Sequence, residues 1–416
     1  MFSVSGAAGT LLFSFGSDSV LEFSFPFVDC IGVWTPLSGC NRSDNADWAE
    51  PVVSMTSKSA PVASVFSEDS RNRCTVALSE TREKVYLYAG IHEEDGMFHI
   101  KAVFPSASGY CGSREVKVRL DTRDISFSAA LSEVAAWWEQ SCGLIPMKTP
   151  DIARRPMYSS WYSYHQMIDG KTLEAECALA KEMGFHSIIV DDGWQTDDAS
   201  RGYAYCGDWN VSSAKIPDMA AHVSRVHDLG MKYLLWFSVP FVGKKSGNWA
   251  RFQDKLIYYD EGLQAGVLDP RYPEVREFLV ETYRSAAVNY DLDGLKLDFI
   301  DPFVERQETP GPDSAMDFPG LQDAVDCLMM SVSQALKQVK PHIMVEFRQF
   351  YIGHNIRRYG NIFRVNDCPN SALRNRVGIV DLRLLCGHSA VHSDMLMWHP
   401  KEDPEEIAIQ LISCLF

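Results

Sequence analysis

Between Met157 and Asp394 the sequence repeats one pattern, in which a short apolar run of β character is followed by an amphipathic helical stretch. Repeats of this kind fold as βα units whose strands lie parallel in one sheet. The β runs are Met157–Tyr164, Ser187–Asp192, Lys232–Phe237, Gly294–Ile300, Ile343–Phe347, Ile362–Asn366 and Ala390–Asp394. These units approach the full set of a TIM (β/α)8-type barrel. The sequence therefore predicts an α/β barrel that is incomplete at its C-terminus, because no further β run follows Asp394.

The part of the chain before this repeat has a different pattern. It consists of short alternating β runs separated by Gly, Ser, Asn, Asp and Pro, which is typical of a β-sandwich. A helical stretch at Ala129–Glu139 then leads into a segment that contains Pro and Arg. We therefore predict an N-terminal β-sandwich over residues 1–141, a linker over 142–156 and the barrel, lacking its last strand, over 157–416.

Composition narrows the function. Lys and Arg number 39 against 55 Asp and Glu, and the net charge of −16 disfavours binding to nucleic acid or to anionic lipid. No apolar run approaches the roughly 18 residues of a membrane span, and no positive charge precedes the first apolar stretch as in an export signal. The 11 cysteines include no CxxC pair, which favours reduced thiols over a disulfide framework. We therefore predict a cytoplasmic protein with a neutral ligand.

Polar and aromatic residues fall at the C-terminal ends of the β runs, which is where TIM barrels place their chemistry. One acid at such a position is ordinary, but its recurrence along the successive β runs is hard to attribute to solubility. The residues in question are Trp161, Asp191, Asp192, Trp194, Trp236, Lys296, Asp298, Glu346, Arg348, Arg364, Asp367, His392 and Asp394.

Lys296 and Asp298 share one face of their strand, because side chains alternate along a strand. If that face is the barrel lumen, the cation holds Asp298 ionised, which suits a nucleophile. The alternative is a buried ion pair that only orders the core. Asp367 supplies a second carboxyl with Arg364 beside it, although its turn-rich surroundings also suit a helix cap. Two carboxylates roughly 5–6 Å apart would indicate retaining glycoside cleavage, with Asp298 and Asp367 as the catalytic pair.

Asp191 and Asp192 cannot both point inward from a regular strand, so the chain must turn there. Acidic acceptors beside the Trp194 indole match a sugar, whose hydroxyls need acceptors and whose C–H face stacks on aromatic rings. The alternative is a metal-binding or capping pair of acids. Trp161 and Trp236 fit the same sugar site, but large aromatic residues usually belong to the core.

Taken in order, these motifs resemble glycoside hydrolase family 36, the α-galactosidases of the melibiase type. The matching residues are Trp161, Asp191-Asp192-Gly193-Trp194, Gly207-Asp208-Trp209 with Lys215 and Pro217, Leu235-Trp236-Phe237, Leu268-Asp269-Pro270 and Leu295-Lys296-Leu297-Asp298. The resemblance covers roughly Met157 to the end of the chain, and the family also has an N-terminal β-sandwich.

The resemblance implies a retaining double displacement that needs no cofactor or metal. Asp298 takes the position of the nucleophile and Asp367 that of the acid/base. It also implies that Asp191 and Asp192 bind the 4- and 6-hydroxyls of galactose, and that Lys296 and Arg364 contact the substrate. The expected partner is an α-galactoside oligosaccharide or glycoconjugate. Family members are often oligomeric, so the resemblance leaves a homo-oligomer as one alternative for the oligomeric state.

One segment departs from the family. Where many members carry a Cys and glycines beside the sugar's 2-substituent, this chain has Glu346-Phe347-Arg348-Gln349-Phe350-Tyr351. We expect Glu346 and Arg348 to line the substrate site and to narrow or repolarise it. The family includes α-N-acetylgalactosaminidases and galactosyl-transferring enzymes, and both stay open as alternatives.

Two hypotheses from other functional classes compete with the hydrolase hypothesis. Asp298, Glu346 and Asp367 end three successive strands and could hold Mg²⁺, as in enolase-type barrels. Against this, Lys296 would compete with the metal for Asp298. A sugar-binding protein without turnover is the other alternative, and it predicts binding with no release of free sugar.

Overall fold

The structure is a computed structural model that describes residues 6–16, 18–105, 114–348 and 353–415, the side chain of Arg114 excepted. Gln349, Phe350 and Tyr351 of the departing segment lie outside the described residues. The chain divides into two compact units. The sandwich unit comprises Met1–Pro146, Gln349–Arg358 and Arg364–Phe416, and the barrel unit comprises Met147–Arg348 and Tyr359–Phe363.

The sandwich unit contains two antiparallel sheets. The five-stranded sheet has the order β1-β9-β6-β5-β3 and the four-stranded sheet has the order β2-β8-β7-β4. The strands are β1 (Ala8–Phe15), β2 (Ser19–Pro26), β3 (Gly32–Trp34), β4 (Val52–Ser54), β5 (Val62–Phe66), β6 (Asn72–Leu78), β7 (Val85–His92), β8 (Met97–Phe104) and β9 (Arg114–Asp121).

One apolar core lies between these sheets, because alternate residues of each strand face inward. Val65, Val76 and Val118 of the first sheet pack there with Phe98 and Ile100 of the second. Helix α1 (Phe127–Cys142) follows; the Ser126 hydroxyl caps its first turn by accepting from the Ala129 amide (3.2 Å). The predicted N-terminal β-sandwich is confirmed.

The barrel unit is built on a parallel sheet. Its strands follow one another in the order β10-β11-β12-β16-β17-β18, and the register pairs Trp236 with Lys296 and Lys296 with Glu346. They are β10 (Met157–Ser159), β11 (Ser187–Val190), β12 (Lys232–Ser238), β16 (Gly294–Asp298), β17 (Met344–Arg348) and β18 (Ile362–Arg364). A small antiparallel sheet contains β13 (Phe241–Gly243), β14 (Leu256–Asp260) and β15 (Ala265–Leu268).

Helices separate the strands in the βα order that the sequence predicts. Asp169 and Asp218 cap two of them by accepting from backbone amides (2.9 and 3.0 Å), and Pro273 begins a third. The helices of the barrel unit are α2 (Trp161–Tyr164), α3 (Gly170–Glu182), α4 (Met219–Asp228), α5 (Trp249–Phe252), α6 (Pro273–Asn289) and α7 (Leu321–Val339). A 3-10 turn at Asp151–Arg154 precedes β10.

The remaining elements belong at least in part to the sandwich unit. They are α8 (Ile356–Tyr359), α9 (Ala372–Leu385), β19 (Ala390–His392) and α10 (Pro404–Ser413). The Val365 amide donates to the His392 carbonyl (3.1 Å), directly after β18 ends. All the predicted β runs contain strands, and among the described residues no strand follows β19. The incomplete barrel is therefore confirmed, whereas the boundaries 1–141, 142–156 and 157–416 stay a prediction.

One element of the prediction is wrong. The first β run was expected to extend over Met157–Tyr164, but the strand ends at Ser159 and Trp161–Tyr164 form a helical turn. The turn closes with His165 at φ 46°, a conformation that few residues other than glycine adopt. Trp161 therefore lies on a helical turn after the strand. In the part of the chain that the structure describes, no helix is both long and apolar enough to cross a membrane.

Candidate active site

Asp298 is a carboxylate with several N–H donors at a strand end of the barrel unit. It is the last residue of β16 and is 6% exposed. Its Oδ1 accepts from Arg348 Nε (3.0 Å) and from the Phe299 amide (2.9 Å), and its Oδ2 accepts from Trp236 Nε1 (3.1 Å). The Lys296 ammonium lies 3.7 Å from Oδ2. N–H donors and two cations therefore favour the ionised carboxylate and fix its orientation.

The backbone after Asp298 helps to build this arrangement. Phe299 has φ 61°, in the left-handed region that non-glycine residues seldom occupy. The turn directs the Phe299 amide back to the Asp298 carboxylate. Its ring also lies 5.2 Å from the Arg348 guanidinium. Backbone strain of this kind concentrates at functional sites.

Lys296 joins Asp298 to the acids after β11. Its ammonium donates to Asp191 Oδ2 (2.6 Å), and both side chains are almost fully buried. The sequence correctly placed Lys296 on the same face as Asp298. The closer partner, however, is Asp191, so the lysine bridges two carboxylates from different strands. Whether this buried network binds substrate or only orders the core stays a prediction.

Asp192 follows at the turn and has a different environment. Its two oxygens accept from Gln166 Nε2 and Gln195 Nε2, each at 2.6 Å. Burial raises the pKa of Asp192 to about 6, and the neighbouring Asp191 charge adds to the rise, while the two amide donors oppose it. Asp192 thus gains a proton far more readily than an exposed aspartate.

Gly193 makes this turn possible. It has φ 115°, and a Cβ at this position would lie 2.5 Å from Gln166 Cα. A larger residue would displace Gln166 from its hydrogen bond with Asp192. Lys215 holds the same turn by donating to the carbonyls of Gln166 (2.6 Å) and Gly193 (2.9 Å). The prediction that the chain turns at Asp191 and Asp192 is confirmed, and the strand ends at Val190.

The tryptophans divide into buried and accessible residues. Trp194 is 0% exposed and donates to the Trp236 carbonyl (2.8 Å), while Trp236 is 1% exposed and donates to Asp298. Both rings are buried in this structure, and their stacking on a sugar stays a prediction. Trp236 also positions Asp298. Trp161 is partly exposed, with its ring 4.5 Å from that of His165.

Glu346 and Arg348 lie on one face of β17, as the alternation predicts. Glu346 is buried beside Lys296 in the strand register. Arg348 is half-buried, and its Nε lies 3.0 Å from Asp298 Oδ1, the proposed nucleophile. The oxygens of Asp298 are occupied by N–H donors and cations, which disfavours the Mg²⁺ site of the enolase alternative.

Arg364 and Asp367 are described within the sandwich unit. Arg364 is buried and forms an ion pair with Asp394, and its Nη2 donates to Asp367 Oδ1 (3.0 Å). The Cys368 amide donates to Asp394 Oδ2 (2.7 Å), which anchors the loop. Asp367 is 41% exposed and does not cap α9, whose N-cap residue is Ser371. The capping alternative is therefore wrong, and the predicted distance between Asp298 and Asp367 stays a prediction.

Several residues of the site were missed by sequence reasoning. Gln195 directly follows the motif that contains Asp192, and its position was the available signal. Gln166 and Tyr203 carried none. Tyr203 stacks near Trp236 (6.4 Å between ring centres) and meets Phe299 edge-on (5.1 Å). Burial raises the pKa of Tyr203, and the charges of Asp192 and Asp298 raise it further. The phenol is therefore neutral, and its ring is an apolar surface beside these two carboxylates.

The family model and the similar proteins of known function all point to α-galactosidases of the melibiase type. The Melibiase family model matches residues 144–346. The α-galactosidase Mel36A of Lactobacillus acidophilus is 26% identical over 162 residues, which is 37% of this chain and 21% of that protein. The bifunctional α-galactosidase/sucrose kinase AgaSK of Mediterraneibacter gnavus is 30% identical over 110 residues, 26% of this chain and 11% of that protein.

Solved structures share the fold. The galactosidase domain of AgaSK aligns with a TM-score of 0.64 at 14% identity, over 96% of this chain and 53% of that one. A variant of the family 36 α-galactosidase AgaA from Geobacillus stearothermophilus, in complex with raffinose, aligns with a TM-score of 0.60 at 12% identity, over 90% and 54%. The chain thus spans about half the length of these solved relatives. Over the matched residues 144–346, the chain resembles glycoside hydrolase family 36, the α-galactosidase family.

Proposed function

We propose that the protein is a retaining glycoside hydrolase that removes terminal α-linked galactose-type residues. The observation that carries the proposal is the Asp298 carboxylate, which is buried, oriented by three N–H donors and flanked by two cations. A carboxylate of this kind is ionised and held in one orientation, as a glycosidase nucleophile must be. The resemblance to the melibiase-type α-galactosidases supports the same role.

In the proposed reaction, an Asp298 oxygen attacks the anomeric carbon while the bond to the leaving oxygen breaks. Asp367 supplies the proton to that oxygen, and then accepts a proton from the water that releases the sugar from Asp298. This role of Asp367 rests on the family resemblance and on its exposed carboxyl, which Arg364 orients. Asp191 and Asp192 would accept hydrogen bonds from sugar hydroxyls, with Tyr203 and Trp161 as aromatic neighbours.

The proposed substrates are α-galactoside oligosaccharides. Raffinose and stachyose are bound in solved family 36 structures, which supports this class for the present chain. We further propose that the protein acts in the cytoplasm. Its described cysteines are all free thiols, as the cysteine pattern of the sequence predicts. A homo-oligomer stays a prediction.

Arg348 bears on the choice of sugar. Its guanidinium lies directly against Asp298, on the segment that in many family members is small and receives the sugar's 2-substituent. A 2-acetamido group would compete with this side chain for space. We therefore propose galactose over N-acetylgalactosamine at the cleaved position. Aryl α-glycosides of galactose, N-acetylgalactosamine and glucose test this order directly, and faster cleavage of the acetamido sugar would reverse it.

The central test is hydrolysis of p-nitrophenyl α-galactoside by Asp298→Asn. The amide preserves the shape of the side chain but cannot attack the anomeric carbon. We expect a loss on the order of 10⁴-fold in kcat with an unchanged circular dichroism spectrum. Asp254→Asn, an exposed site in the same unit, is the matched control. Substantial turnover by Asp298→Asn, or sugar binding without turnover by the native chain, would refute the proposal.

Asp367 is tested by changing the leaving group. p-Nitrophenolate departs without much protonation, whereas a sugar alkoxide requires it. We expect Asp367→Ala to lose far more activity on an α-galactosyl disaccharide than on p-nitrophenyl α-galactoside. Equal losses on the two substrates would contradict the acid/base role.

A further inference from the structure

A second cluster of titratable residues lies far along the sequence from the active-site motifs, on the hairpin of β7 and β8. His92 ends β7, Asp95 lies in the turn and His99 is on β8. One ligand atom from each of these residues lies within 4.8 Å of the others, and among the described residues no other group of His, Cys, Asp and Glu is arranged in this way. The hairpin turn itself brings them together.

Each histidine presents one ring nitrogen to Asp95. His92 Nδ1 lies 3.1 Å from Asp95 Oδ1, and His99 Nε2 lies 3.6 Å from Asp95 Oδ2. Both nitrogens are inaccessible to solvent, and neither has a partner in hydrogen-bond geometry within the described part of the chain. Buried polar atoms normally have hydrogen-bond partners. These two imidazole nitrogens and the carboxylate between them are therefore available as ligand atoms for an ion.

The other nitrogen of each ring faces a glutamate. His99 Nδ1 lies 2.5 Å from Glu22 Oε1, and His92 Nε2 lies 3.3 Å from Glu94 Oε2. Histidines that bind metals commonly hold their second nitrogen against a carboxylate, which fixes the tautomer and makes the ligand nitrogen more basic. The cluster therefore contains both the ligand set and its supporting acids.

We propose that His92, Asp95 and His99 form a binding site for a first-row transition metal ion such as Zn²⁺. Two imidazole nitrogens and one carboxylate oxygen are a ligand set that Zn²⁺ favours, and solvent can complete the coordination. The carboxylates around the rings supply an attractive negative field. Ca²⁺ and Mg²⁺ prefer oxygen ligands and should bind weakly or not at all. The bound ion would connect the ends of β7 and β8 and stabilise the hairpin.

Co²⁺ absorption and Zn²⁺ calorimetry on the full chain test this proposal. We expect one equivalent of metal bound with nitrogen and oxygen ligands, seen as Co²⁺ d–d bands without the near-ultraviolet charge-transfer band of a thiolate. His92→Gln and His99→Gln should each abolish this binding. Glu22→Gln should weaken it by roughly 10–100-fold, the effect of losing a supporting carboxylate. His342→Gln, an exposed histidine of the barrel unit, is the matched control and should bind as the native chain does.

Stability gives a second readout. Zn²⁺ bound only by the folded state should raise the Tm in a concentration-dependent way, and His99→Gln should show no such rise above its own metal-free Tm. Absence of binding, a thiolate charge-transfer band as the main signal, or binding that persists in both histidine variants would overturn the proposal. Because none of these residues belongs to the proposed active site, the outcome is independent of glycosidase activity.

Discussion

The same residue type has opposite surroundings in the two kinds of sheet. Lys101 on β8 of the antiparallel sandwich alternates with buried neighbours, and its ammonium lies over the Tyr88 ring (4.9 Å) on the outer face. Lys296 on β16 of the parallel sheet is 2% exposed, and every residue of its strand is buried. Antiparallel strands can place charge in solvent, whereas strands covered on both faces cannot. A charge in such a strand must therefore be paired, and its presence marks a site.

Lys296→Met should have the largest effect on stability. It removes the cation between Asp191 and Asp298 and leaves two buried acids without their shared partner. Breaking a buried ion pair in this way costs about 3–5 kcal/mol. Urea unfolding measures the loss, and hydrolysis should fall with it. A change below about 1 kcal/mol would mean that the buried network does not depend on this lysine.

Asp192 should make stability depend on pH. Burial raises its pKa to about 6, so its contribution to stability is complete at low pH and declines as pH rises through the folded pKa. A shift of two pKa units corresponds to about 3 kcal/mol. Asp192→Asn should therefore gain stability relative to the native chain as pH rises from about 4 to about 6.5, as followed by Tm, and the difference should stay constant at higher pH. Asp254→Asn is the exposed control, and parallel pH curves for Asp192→Asn and the native chain would contradict the assignment.

Arg348→Gln tests a smaller electrostatic effect. The neutral amide no longer favours the ionised Asp298, so the acid limb of the kcat/KM profile should move to higher pH. Arg348→Lys retains the charge and should restore most of the original profile, although it loses the planar guanidinium. If the acid limb moves equally in Arg348→Gln and Arg348→Lys, the charge of Arg348 is not the cause and the guanidinium acts through packing alone.

Lys101→Met should have the smallest effect. The side chain loses one cation–π contact at a surface site, worth about 0.5–1 kcal/mol. Unfolding in urea and activity should both stay close to native values. A loss comparable to that of Lys296→Met would show that sheet type does not separate the two lysines.

The sequence predicted what depends on local periodicity. Alternation placed Lys296 and Asp298 on one face, and the impossibility of two inward acids placed a turn at Asp191. The sequence did not predict contacts between distant segments, because nothing near Gln166 indicates that its side chain binds Asp192. The helical turn at Trp161 was also missed, because a short aromatic run suits a strand and a helix equally. Burial of Trp194 depends on the packed core and has no local signal.

The most direct measurement is the identification of the residue that becomes covalently bound to sugar. A fluorinated α-galactosyl fluoride reacts with the nucleophile of a retaining enzyme and slows its release. Proteolysis and mass spectrometry of the inactivated protein should locate one galactosyl group on the peptide that contains Asp298. A label on a different carboxylate, or an unlabelled chain that still hydrolyses α-galactosides, would contradict the account.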